Sequence, residues 1–194
     1  MAEAEFDRFV AAYYERFARA LREFDKAPLG AVLGLLDAVA ARGGTLWVAG
    51  NGGSAAIADH TVCDGTKGAH VPGTAPLRTV SLAANGPMLT ALANDVDYAS
   101  VFSEQLGWYL REGDAVLLVS SSGNSPNVVA ACRLANERGV ATIAFTGFSG
   151  GALARLARHV VHVPVDNYGI VEDTHQSLIH VLTQYMRQRA AGPA

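Results

Sequence analysis

The sequence predicts an α/β protein: a three-layer α/β/α sandwich around a parallel sheet, with helices added at the N-terminus. Two observations carry this reading. Thr45–Ala49, Ala115–Val119 and Ala141–Thr146 are short apolar runs without alternation, the pattern of parallel strands covered on both faces. Helical stretches intervene, and strand–helix alternation builds a parallel sheet with helices on either side. The 194 residues suit one such domain with a helical extension, and half are hydrophobic, enough for a sizeable core.

From Glu3 to Phe24 apolar residues (Phe6, Phe9, Val10, Tyr13, Phe17, Leu21) recur every three or four positions, with Glu and Arg between them. That spacing makes an amphipathic helix whose apolar stripe needs a partner, and a neighbouring subunit is the economical choice. Pro28 breaks it, Leu29–Ala41 reads as a second helix, and Gly43-Gly44 ends that one. The first strand, Thr45–Ala49, stops at Gly50-Asn51-Gly52-Gly53-Ser54, and a helix follows over Ala55–Gly65. Arg78–Leu82 and His159–Val163 are weaker strand candidates; Pro126–Arg138 and Val171–Arg189 are helical. Ala190–Ala194 is expected to fray. No repeat, low-complexity stretch or linker interrupts the chain, so residues 43–190 are expected to form one structural unit and residues 1–42 a helical extension for oligomerisation.

Ligands of open parallel sheets sit beyond the carboxyl ends of the strands. Two of those ends are unusually small and polar. Gly50–Ser54 follows a strand and opens a helix; glycines let the backbone approach a ligand, and a helix N-terminus offers free N–H groups. Ser120-Ser121-Ser122-Gly123-Asn124-Ser125 precedes Pro126, which suits a first helical turn. Its hydroxyls and amides form a neutral anion cradle without lysine. Either loop alone is equally a tight turn with helix caps; the two on neighbouring strands favour phosphate. The glycine loop has neither the terminal Lys-Ser/Thr of a P-loop nor the G-x-G-x-x-G spacing, so ATPase and dinucleotide readings lose ground.

G-N-G-G-S before a helix, followed by S-S-S-G-N-S-P-N, resembles the SIS (sugar isomerase) domain family. Ala93-Asn94-Asp95, Phe145–Gly151 and Val171–His175 through His180 resemble it too. Together these segments run from about Leu46 to Met186, and within the family they are most similar to the phosphoheptose isomerases. The resemblance implies a flavodoxin-like parallel sheet and a homotetramer with active sites at subunit interfaces. It implies conversion of sedoheptulose 7-phosphate into D-glycero-D-manno-heptose 7-phosphate. By matching position, Asn51, Gly52, Gly53, Ser54, Asn94, Asp95 and Glu172 would lie along the substrate, and Ser120, Ser121, Ser122 and Ser125 would hold its phosphate. Zinc would fall on His60, Asp64, Glu172 and His180, and the acid and base on Asp64 and His180. Three positions depart from the pattern: Asp64 stands for a glutamate, Glu172 for a glutamine, and Gly68 for an arginine, with Lys67 beside it.

Read from the residues themselves, His60 and Asp64 stand four apart on a predicted helix and share one face. Such a pair alone is more often a surface hydrogen bond. Glu172 and His175 are neighbours at i,i+3 on the last helix, and His180 lies two turns beyond Glu172, rotated by roughly 80°. If the two helices meet, His, Asp, Glu and His surround a divalent metal: zinc, or manganese, iron or nickel. An aldose–ketose isomerase needs a base beside the carbonyl and an acid for its oxygen, roles open to Asp64 and His180. A histidine bound to metal cannot exchange a proton at the same nitrogen, so ligation and acid catalysis compete; a metal acting as Lewis acid is the alternative. Cys63 points roughly 60° away from His60 and reads as a small buried residue. Asp173 reads as starting the last helix or orienting His175, Trp47 as core, Trp108 as an interface residue, and Asp114 as a turn residue. His70, His159 and His162 read as solvated or sheet-edge residues.

A net charge of −3 excludes an electrostatic nucleic-acid binder. Cys63 and Cys132 are too few for a disulfide scaffold. Met1–Asp7 carries no signal-peptide pattern and no apolar run is long enough to span a bilayer, so a cytoplasmic protein without nucleic-acid or membrane partners is expected. Besides the isomerase, an SIS enzyme for another phosphosugar and a non-catalytic module, sensing phosphosugars or binding a protein, fit the two loops. The carboxylate–histidine set favours the enzyme.

Overall fold

Hydrogen bonding along the apolar runs joins five parallel strands in the order β2-β1-β3-β4-β5. They are β1 (Thr45–Ala49), β2 (Arg78–Ser81), β3 (Ala115–Ser120), β4 (Ala141–Thr146) and β5 (His159–His162) in a computed structural model that describes residues 2–192. Around the sheet lie α1 (Ala2–Glu23), α2 (Pro28–Ala41), α3 (Gly53–Val62), α4 (Gly86–Asp95), α5 (Val101–Tyr109), α6 (Pro126–Glu137), α7 (Leu153–Leu156) and α8 (Tyr168–Ala191). The period-two geometry of the strands sends alternate residues to opposite faces. Leu46, Val48, Leu117, Val119, Ile143 and Phe145 pack with α2, α3 and α8. Ala49, Val116, Leu118 and Ala144 pack with α5, α6 and α7. Three layers result, as expected from the unalternated runs.

Several expectations need correction. The first helix after β1 does not run as an α-helix to Gly65; α3 ends at Val62 and continues as a π-helical segment over Cys63–Gly68. α4 and α5 were not anticipated. Asn85 caps α4 by accepting from the Met88 amide at 3.1 Å, and α5 is held by buried Val101, Phe102 and Leu106. Trp47 is half-buried rather than core. Its ring stacks on Tyr109, and its Nε1 donates to Asp114 Oδ2 at 2.9 Å. Asp114 is more than a turn residue: its buried carboxylate also accepts from the Thr45 and Arg111 amides at 2.8 and 2.9 Å, tying the entry of β1 to the turn before β3. Asp173 is exposed and does not start α8; Asn167 caps that helix, accepting from the Ile170 amide at 3.0 Å. Cys63 is exposed. The C-terminal helix persists to Ala191, and the rest of the expected frayed tail, Pro193 and Ala194, lies outside the described residues. Among the described residues no helix is long and apolar enough to cross a membrane.

Candidate active site

β1 and β3 are hydrogen-bonded neighbours, yet the helices that follow them, α3 and α6, pack on opposite faces of the sheet. That reversal opens a crevice at the strand ends, where parallel sheets hold ligands. The glycine loop (residues 50–54) and the serine loop (residues 120–125) line it. Neither α3 nor α6 has a side-chain cap at its N-terminus, which leaves amide donors there for an anion.

Within the serine loop, Ser120 Oγ lies 3.3 Å from Ser125 Oγ and accepts from the Gly123 amide at 3.2 Å. Ser122 Oγ accepts from the Asn124 amide at 3.3 Å. Ser121 Oγ is buried and has no partner. An unmet buried hydroxyl costs about 1–3 kcal/mol, and a phosphate oxygen at this place would supply what it lacks.

A second cluster forms where α3, the π-helical segment and α8 meet. Asp64 Oδ2 lies 3.2 Å from His60 Nε2 and 3.4 Å from His180 Nε2, and the two imidazole nitrogens are 3.1 Å apart. Four ligands at zinc's usual 2.0–2.1 Å stand about 3.3–3.4 Å from one another in a tetrahedron. The three atoms thus form a triangle close to one tetrahedral face. Two imidazoles and a carboxylate aimed at one point are a donor set suited to a divalent cation. Asp64 lies in the π-helical segment, four residues after His60, and π-helical turns are common at functional sites.

The SIS domain profile matches residues 11–147. The chain belongs to the SIS domain family. A phosphoheptose isomerase of Mycobacterium bovis is 38% identical over 151 residues, covering 78% of this chain and 76% of its own. One from Desulfovibrio desulfuricans is 40% identical over 149 residues, covering 77% and 70%. Among solved structures, the phosphoheptose isomerase GmhA of Neisseria gonorrhoeae superposes with a TM-score of 0.86 at 32% identity, covering 93% of this chain and 98% of its own.

Not every residue singled out from the sequence joins these clusters of the SIS domain. Glu172, expected among the metal ligands, stands outside the group formed by His60, Asp64 and His180. Its half-buried carboxylate instead lies over Gly53, so closely that a methyl group there would overlap it. Burial, with Asp173 nearby, pushes its carboxyl above the usual range. Asn94 and Asp95 end α4, exposed and bonded to each other at 2.8 Å. Asn51 is held by protein groups: Asn127 and Tyr98 both bond its amide. Neither partner was singled out from the sequence. Asn127 carried a signal, standing directly after the serine loop and Pro126, whereas Tyr98 carried none. Gln176 was also missed; its amide nitrogen lies 3.2 Å from His180 Nε2, one helical turn away.

His175 is fully buried, and Nε2 lies 3.2 Å from the Thr146 carbonyl oxygen. A carbonyl only accepts, so Nε2 carries the proton and Nδ1, which has no partner, does not. Burial lowers this histidine's pKa to about 4. His162 Nδ1 lies 3.1 Å from Thr146 Oγ1 on the edge strand.

Proposed function

We infer that this SIS protein is an aldose–ketose isomerase that converts sedoheptulose 7-phosphate into D-glycero-D-manno-heptose 7-phosphate. One observation carries the reading: a phosphate-type loop and a carboxylate–imidazole cluster occur together in a chain whose relatives are phosphoheptose isomerases. The substrate's phosphate is on C7 and its reacting carbons are C1 and C2, so the chemistry must lie away from the anion cradle. His60 follows the opening residue of α3 by seven positions, a rise of about 10 Å, a separation on the scale of such a substrate.

In this reading Ser120, Ser121, Ser122 and Ser125 hold the phosphate, and Gly52, Gly53 and Ser54 face the sugar, with Asn94, Asp95 and Glu172 toward its middle. His60, Asp64 and His180 would hold a divalent cation, with zinc best matched to the donor set, and it would polarise the substrate carbonyl as a Lewis acid. Asp64 Oδ2 faces both imidazoles, which leaves Oδ1 to move the proton. Taken from C1, that proton leaves an enediolate with charge on O2; O2 gains a proton, O1 loses one, and delivery to C2 completes the aldose. His180 acts as a ligand rather than an acid, because Nε2 is the atom that faces His60 and Asp64.

The helical extension of residues 1–42 supports an oligomer. α1 exposes Phe6, Phe9 and Tyr14, and a homotetramer with sites at subunit interfaces would cover them. A cytoplasmic location fits the two free cysteines.

Purified protein incubated with sedoheptulose 7-phosphate, with and without zinc, should yield the aldose phosphate. No product under either condition sinks the proposal, and a panel of other ketose phosphates tests substrate identity. Asp64→Asn should lose about 10²–10⁴ in turnover while still binding the sugar phosphate. Deleting residues 1–26 should reduce the particle size on gel filtration; a truncated protein eluting at tetramer size removes α1 from the interface.

A further inference from the structure

Asn51 and Asn127 exchange two hydrogen bonds. Asn51 Nδ2 donates to Asn127 Oδ1 at 2.8 Å, and Asn127 Nδ2 donates to Asn51 Oδ1 at 3.0 Å. The amide orientations are fixed from outside the pair. The Val128 backbone N–H can only donate, and it reaches Asn127 Oδ1 at 3.0 Å. That leaves Nδ2 of Asn127 as the donor toward Asn51, and so sets Asn51 as well. Tyr98 then adds its hydroxyl to Asn51 Oδ1 at 2.9 Å. Asn51 Oδ1 has both lone pairs used, and one N–H is all that side chain retains for a ligand.

The three residues belong to three different segments: the loop after β1, the turn between α4 and α5, and the first turn of α6. Asn127 is 1% exposed and Asn51 half-buried, so one side of the pair is shielded from water, and breaking the reciprocal bonds would leave the buried Asn127 amide unpaired at a cost. Each segment neighbours residues that the proposed isomerase uses: Gly52–Ser54, Asn94–Asp95 and the serine loop.

We propose that Asn127 is a positioning residue, seconded by Tyr98, which locks the glycine loop to the serine loop so that phosphate bound at one orders the other. The proposal rests on the phosphate reading of the serine loop. Through this clamp, binding energy from the unreactive phosphate end orients the backbone that lies along the sugar, the use of remote binding that raises turnover rather than affinity. Asn51 serves the clamp and keeps one N–H for the substrate.

Amide hydrogen exchange with and without inorganic phosphate tests this on the full-length protein. In the wild type, phosphate should slow exchange at residues 120–125 and also at 50–54. In Asn127→Leu the protection at 50–54 should vanish while that at 120–125 stays, and kcat should fall by about ten- to hundredfold with KM changed much less. Tyr98→Phe removes one bond from an exposed side chain and cannot unfold the core, so it serves if Asn127→Leu does not fold. It should lose part of the protection at 50–54 and about threefold in kcat. Protection at 50–54 that persists in both variants overturns the clamp while leaving the phosphate site standing. Absence of protection at 120–125 in the wild type overturns both.

Discussion

At the carboxyl ends of the strands α3, α6 and α8 begin, and at the amino ends α2, α5, α6 and α7 finish. The first end presents amides, hydroxyls and glycines. The second presents Arg42, Arg111, Arg138 and Arg158 around a cleft of about 620 Å³. Size alone would put the ligand there, and four arginines would seem to invite an anion. The helix ends say otherwise. Arg42 and Arg138 are the C-terminal caps of α2 and α6, and Arg111 and Arg158 stand two residues past the ends of α5 and α7. Helix C-termini carry partial negative charge that these guanidinium groups offset. Positive side chains at the amino ends therefore neutralise the scaffold, whereas the two loops at the carboxyl ends, which contain no lysine or arginine, gain their positive potential from the backbone. Backbone polarity, more than cavity size or side-chain charge, therefore favours the carboxyl end as the place for an anion.

The sharpest way to break the comparison is at Gly123. It sits at φ +66°, and a Cβ there would run into the Gly150 carbonyl oxygen, joining the serine loop to the loop after β4. Alanine in the left-handed region costs about 1–2 kcal/mol, and displacing backbone adds a similar amount. Gly123→Ala should lose about 2–4 kcal/mol, a fall in Tm of about 4–16 °C at this size, measured by thermal denaturation. A fall below 2 °C would mean that the close approach of these loops is dispensable.

Acid separates the two ends next. His175, behind the carboxyl end, must stay neutral. Its folded pKa is depressed from 6.5 to about 4, so the unfolded chain takes the proton first. Stability should be unaffected above pH 6.5, decline as pH falls toward 4, and level off below that. At about 1.4 kcal/mol per pH unit the loss has a ceiling of roughly 3 kcal/mol. Denaturant titrations between pH 7 and 4 read the slope, and His175→Gln should flatten it; an equal slope in the variant would place the acid sensitivity elsewhere.

Much of this architecture was legible in the sequence because the governing patterns are local. Unalternated apolar runs gave three strands, and the small polar residues after β1 and β3 gave the two loops proposed to bind the substrate. His60, Asp64 and His180 were also found, although through a regular α-helix that turned out to be π-helical between Cys63 and Gly68. One extra residue per turn leaves no trace in composition. Glu172 stands apart from the group of His60, Asp64 and His180, in keeping with the rotation between it and His180 at the helical repeat, which sets them on different lines of α8. α4 escaped although Asn85-Gly86-Pro87 is a legible helix start, because its apolar stripe is thin, with Leu92 alone fully buried. Tyr98 was beyond reach, and Asn127 was signalled only by its place after the serine loop, since their bonds to Asn51 cross 47 and 76 residues and nothing local encodes such a meeting.

The smallest effect expected is also the most discriminating. Arg138 Nη1 donates to the Gly107 carbonyl at 2.8 Å, in the last turn of α5. If that is its purpose, Arg138→Ala removes one exposed hydrogen bond and one favourable charge at helix C-termini, worth at most about 1 kcal/mol together, and lowers Tm by no more than about 4 °C. Affinity for inorganic phosphate, measured by calorimetry, should not change, because the anion would bind some four to six strand residues away at the opposite end. A large loss of phosphate affinity in Arg138→Ala would mean that the amino-end cleft takes up anions after all, and that side-chain charge outweighs the polarity of the helices around it.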